Sequence, residues 1–166
     1  MSTQLLQLDD QLVAALVKST RDGLAMAGLK PIPVGMSKLL QCSEPISSII
    51  GFVGSMSGSM FLNTSEAAAC FLAGRLLGET LTTVDAQALD GLCEITNIIA
   101  GQTKAALSQT QHKFEKISVP SVIVGQSYSI YYRNMTSVSV TFEIPEMPVR
   151  PGIFPTFSIN MSLMKI

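Results

Sequence analysis

Two acids and an amide make the most chemically suggestive pattern in this chain: Asp90, Glu94 four residues on, and Asn97 three further. At roughly 100° per residue they fall on one side of a helix with Gly101, Lys104 and Ser108, within about 80° of arc. A carboxylate and a carboxamide one turn apart can divide a task. The carboxylate pairs with a cation, while the amide accepts from a water through its carbonyl, donates through its NH₂, and adds no charge to repel an anion. Gly101, in the middle of the stripe, leaves room for another backbone or surface to come close. Glu-x-x-Asn alone also fits a solvated helix face, but here Pro120 follows Asn97 after 22 intervening residues, and the whole spacing singles the pattern out.

The element that must position these groups is AQALDGLCEITNIIAGQTKAALS, residues 86–108. Thr82 or Thr83 is available to cap its N-terminus, Asp85 suits the positive end of the helix dipole, and no proline intervenes before Pro120. Leu92, Ile95, Ile99 and Ala106 lie opposite the polar stripe and are expected to face a core. Cys93 borders the stripe and reads as a small buried hydrophobe.

The Asp90, Glu94, Asn97 and Pro120 spacing resembles the signature of the CheC/CheX/FliY phosphatases of bacterial chemotaxis. With one such signature, the chain is most similar to the CheX branch. The resemblance implies an α+β CheC-like fold, an antiparallel sheet with a long catalytic helix and other helices on its face. It implies a phosphatase acting on the aspartyl phosphate of CheY or a related response-regulator receiver. Such a receiver already holds its phosphoryl group beside a Mg²⁺ and a lysine, so only a positioned water is missing. Glu94 and Asn97 are then the expected catalytic pair, Glu94 toward the receiver's lysine and Asn97 toward the water. Asp90, Gly101 and Lys104 are expected to support docking, and Pro120 to fix the path of the chain into the sheet. No cofactor or metal of its own is implied, the Mg²⁺ being the receiver's, and a homodimer joined through sheet edges is expected. The alternative is a non-catalytic module of the same fold that binds a receiver or a flagellar-switch component.

The totals agree with a protein partner. At 166 residues the chain suits one domain, residues 1–166, with a substantial core. Charged residues make up 14%, against about 25% ordinarily, so part of the apolar surface is expected to be covered. Net charge is −1 with basic residues scattered, which argues against a nucleic-acid or anionic-membrane footprint. The first ten residues, MSTQLLQLDD, lack the basic start of a signal peptide, and no apolar run reaches the roughly 18 residues of a membrane span, so a cytoplasmic location is expected. Cys42, Cys70 and Cys93 are odd in number and lack metal-ligand spacing, which predicts free thiols. His112, in QTQHKF, reads as an exposed residue just past the helix.

Along the chain, Leu5, Leu8, Leu12, Leu16 and Leu24, with Val13 and Val17, recur at helical spacing until Gly28 and Lys30-Pro31. The polar face of this helix carries Lys18, Arg21 and Asp22 but no acid-x-x-Asn, so it has no second site. Residues 31–45 read as irregular connection. Ile46–Val53 and Met56–Leu62 predict a hairpin turning near Gly54-Ser55; GFVGSMSGS lacks the GKS or GKT ending of a phosphate loop. Thr64 or Ser65 caps a short apolar helix that Gly78 ends. Val122–Val124 and Tyr128–Tyr132 are strand candidates, and alternation over 137–144 and 157–164 predicts antiparallel strands with one face buried. Between them PEMPVRPGIFP is too proline-rich for regular structure and should form an exposed loop, a candidate partner contact.

Overall fold

A computed structural model describes residues 9–40, 42–126, 128, 130 and 135–165. Three helices and seven strands follow in the order α1 (Asp10–Ala25), β1 (Ile32–Ser37), β2 (Ile46–Gly54), β3 (Met56–Thr64), α2 (Glu66–Leu77), α3 (Ala86–Ala106), β4 (Phe114–Ile117), β5 (Ser121–Val124), β6 (Thr136–Glu143) and β7 (Thr156–Lys165). The strands form one antiparallel sheet in the order β1-β6-β7-β3-β2-β4, with β5 also on β2. The fold is therefore the expected α+β arrangement.

Period-two alternation sets the sheet's two faces. Ile46, Ile50 and Phe52 of β2, Met60 and Leu62 of β3, Val138, Val140 and Phe142 of β6, and Phe157, Ile159, Met161 and Leu163 of β7 join one buried cluster with Leu12 and Leu16 of α1 and Leu92, Ile95 and Ile99 of α3. Phe142 and Phe157, paired in register, stack with centroids 5.3 Å apart. The other face was expected to be solvated, yet Ser47, Asn63, Ser139, Ser158, Asn160 and Ser162 are buried there. Hydrogen bonds compensate part of that cost. The Asn63 amide donates to the Glu44 carbonyl at 2.8 Å and to Ser47 Oγ at 2.8 Å, and the Tyr128 hydroxyl bonds Ser47 as well.

Two expectations about the strands need correction. Residues 31–45 were read as connection, but Ile32–Ser37 is a border strand paired with β6, its bulge between Pro33 and Gly35. A border strand accommodates a residue with no N–H and needs no buried side, so neither signal of a strand was present. Phe114–Ile117 is a second unexpected strand. The strand expected at Tyr128–Tyr132 falls mostly outside the described residues, and Tyr128 and Ile130, which are described, are not in a strand. Leu5 and Leu8 of the first helix also lie outside them; α1 starts at Asp10 with Asp9 as its cap.

β4 and β5 lie along the same border of β2, β4 opposite its Phe52–Gly54 end and β5 opposite Ile46–Ile49. They are two halves of one border strand, interrupted at residues 118–120. Ser118 closes the gap, its backbone N–H donating to the Gly51 carbonyl at 2.9 Å and its Oγ accepting from the Gly51 N–H at 2.8 Å. Pro120 stands at the interruption, where a missing N–H removes no ladder bond.

Candidate functional site

α3 carries the candidate residues, and three kinds of contact fix its pose. Its N-cap is Asp85 rather than Thr82 or Thr83: Oδ1 accepts from the Ala88 N–H at 3.0 Å. A carboxylate serves this position at least as well as a threonine hydroxyl and adds a favourable charge at the dipole's positive end. Leu92, Ile95, Ile99 and Ala100 are fully buried toward the sheet and α1. Gly91 lets α2 approach, since a Cβ there would stand 2.8 Å from the Ala73 Cβ. Ala106, expected among the core residues, is exposed in the last turn.

With that face held, the opposite stripe turns outward. Asp90 and Glu94 are exposed, and Asn97, Gly101, Lys104 and Ser108 are half-buried. Among the described residues, no hydrogen bond or ion pair engages the side chains of Asp90, Glu94, Asn97 or Lys104. Asp90 and Glu94, like charges four residues apart, repel each other mildly. These polar groups are therefore available to a partner. Glu94 and Asn97 are separated by roughly 4.5 Å of axial rise, so one object placed over the helix can meet both.

The cleft of about 790 Å³ at the N-termini of α2 and α3 is lined by Glu44, Glu66, Cys70, Thr83, Leu89 and Phe154, and contains neither Glu94 nor Asn97. The candidate pair therefore stands outside that cleft, on the outward side of α3. Among the described residues no group of three or more His, Cys, Asp or Glu side chains could hold a metal ion, and no helix is long and apolar enough to cross a membrane.

Other sequence candidates resolve differently. Cys93 is half-buried; burial pushes its thiol up, the Ser48 hydroxyl lowers it and Asp90 raises it further, the opposite of the depressed value that activates a thiol. The glycines of GFVGSMSGS serve strand packing, a Cβ on Gly58 falling 2.7 Å from the Ser162 carbonyl. The PEMPVRPGIFP loop is as expected irregular and presents Val149 and Phe154 to solvent, at 83% and 77% exposure. His112 is the clearest miss. It is buried rather than exposed, with Nε2 2.5 Å from Asp9 Oδ2, and so ties the chain beyond α3 to the cap of α1. The two residues lie 103 positions apart, and no local pattern could have paired them.

The model of the family described as "Chemotaxis phosphatase CheX" matches residues 46–143, which span the hairpin, α2, α3, Pro120 and β6. Solved structures share the fold. The chemotaxis protein CheX from Desulfovibrio desulfuricans is similar with TM-score 0.77 and 24% identity over 93% of this chain and 99% of that one. A chemotaxis protein from Desulfovibrio vulgaris Hildenborough gives TM-score 0.79 and 23% identity over 94% and 98%. The CheX of the CheX-CheY-BeF3-Mg²⁺ complex from Borrelia burgdorferi gives 0.73 and 22% over 96% and 99%. No curated protein matches the chain at the significance those structures reach.

Proposed function

The chain belongs to the chemotaxis phosphatase CheX family, and from that premise we propose that it hydrolyses the aspartyl phosphate of a CheY-like receiver domain, with Glu94 and Asn97 as the catalytic pair. The observation that carries this reading is the outward, unpartnered presentation of both side chains on a helix whose other faces are held by packing. The receiver supplies the phosphoryl group, its Mg²⁺ and its lysine. Glu94 pairs with that lysine, which draws the carboxylate to the cation instead of to the repelling phosphoryl oxygens. The Asn97 carbonyl accepts from a water and holds it in line with phosphorus, and the amide adds no charge to the loose transition state. Fixing one water in this way contributes on the order of 3 kcal/mol.

Asp90 and Lys104, further along the same stripe, make docking contacts, and Pro120 holds the border beside α3 at its interruption. Two copies join through sheet edges. The exposure of Ile32, Val34 and Met36 on border strand β1, 50%, 54% and 59%, supports this, since an open, apolar border strand is a template for a second one. The protein acts in the cytoplasm, where receivers are phosphorylated.

The test is the decay of phosphorylated receivers, taken as a panel, with and without the protein. Acceleration by the wild type, lost in Asn97→Ala with receiver binding retained, is the expected result. Glu94→Ala weakens both binding and turnover. Binding without acceleration by the wild type would leave a non-catalytic receiver-binding module in place of an enzyme.

A further inference from the structure

Four glycines lie inside helices, and at three of them a neighbour crowds the place of a side chain, below 3.0 Å at Gly74 and Gly91. A Cβ on Gly23 would stand 3.2 Å from both Ile98 and Ile99, on Gly74 2.6 Å from the Glu79 carbonyl, and on Gly91 2.8 Å from Ala73. At Gly101 a Cβ would meet nothing within 4 Å. Nor does the backbone ask for glycine there, because the positive-φ glycines are Gly28, Gly78 and Gly152. A glycine in the interior of a long helix weakens it relative to alanine. Here nothing among the described residues compensates.

The compensation then lies outside. Gly101 sits one turn beyond Asn97 on the outward stripe, half-buried between Asn97 and Lys104. We infer that Gly101 sets the closest approach of the docked receiver, whose main chain passes over position 101 at a separation that a methyl group would block. This rests on the receiver-docking reading above and adds to it a steric determinant with no polar atom of its own. The separation governs how readily the receiver seats, while Glu94 and Asn97 act once it is seated, so Gly101 acts on binding, and helix stability is given up for contact.

The experiment uses Gly101→Ala and Gly101→Leu in the full chain, assayed with the phosphorylated receiver on which the wild type acts. Gly101→Ala raises Tm by roughly 2–4 °C, as expected for an unhindered helical glycine. It raises KM by about tenfold through overpacking at the contact, while kcat at saturation changes less than about threefold. Gly101→Leu raises KM further. Asn97→Ala gives the opposite split, kcat falling with KM nearly constant. A KM within about twofold of wild type in both Gly101 variants overturns the inference. If the wild type accelerates no receiver, the phosphatase reading fails by itself, and the same loss is then sought in the Kd for a beryllofluoride-loaded receiver. Equal Kd values for wild type and both variants, or no binding by the wild type, overturn the inference there.

Discussion

α1 and α3 pack side by side over the same sheet, yet they treat their solvent faces in opposite ways. On α1, Lys18 pairs with Asp22 one turn later. On α3, Asp90 and Glu94 occupy the same i,i+4 relation with like charge, and no described residue neutralises Lys104. Opposite charges at that spacing stabilise a helix by about 0.2–0.5 kcal/mol and like charges cost a similar amount. The mid-helix Gly101 adds a further cost of roughly 0.5–1 kcal/mol. α1 thus carries an intrahelical ion pair on its solvent face, whereas α3 leaves Asp90, Glu94 and Lys104 without a described protein partner.

Substitutions can break or sharpen that contrast. The largest effect belongs to Asn97→Ala, which lowers receiver dephosphorylation about a hundredfold and leaves Tm unchanged or slightly raised; an equal loss from Asp22→Ala on α1 would erase the distinction between the helices. Next is Gly91→Ala, on the packed side of α3, which forces a methyl to within 2.8 Å of Ala73. It costs about 1–3 kcal/mol of stability by chemical denaturation, the reverse of the gain at Gly101 on the open side.

His112→Ala, which severs the tie between the two helices' ends, costs about 1–2 kcal/mol. The pH dependence of that tie follows from Asp9. Burial alone would raise its carboxyl, but the Leu12 N–H and His112 outweigh burial and hold it below the ordinary 3.8. A folded value below the unfolded one stabilises the protein above the unfolded value, and that contribution fades as pH falls through the folded one. Wild-type urea midpoints should therefore drop more steeply than those of His112→Ala below about pH 4. Parallel curves would remove Asp9 from the account. The smallest effect is Lys18→Ala, a few tenths of a kcal/mol with no change in dephosphorylation.

The sequence displayed α3 clearly because its two arcs, an apolar one toward the core and a polar one toward the surface, are both written at helical period in one uninterrupted segment. The hairpin, α2, β6 and β7 were legible for the same reason, each carrying its own periodicity and its own stop signals. β1 was not, since Pro31, Pro33 and Gly35 imitate a loop and its side chains are mostly exposed, leaving no alternation to read. Nor was the buried second face of the sheet. The serines and asparagines Ser47, Asn63, Ser139 and Asn160 read as solvated in sequence, since their residue types carry no sign of the burial found for them. That the pair stands outside the cleft at the N-termini of α2 and α3 was also invisible, because periodicity says which residues share a side but not whether that side lies in a cleft.

The gap that splits β4 from β5 bears on how copies of the chain can aggregate or assemble. Each half is four residues long, and residues 118–120 between them belong to neither, so neither half offers an incoming segment a long continuous ladder. The edge-to-edge pairing proposed above, through β1, leaves this split border beside α3 unoccupied.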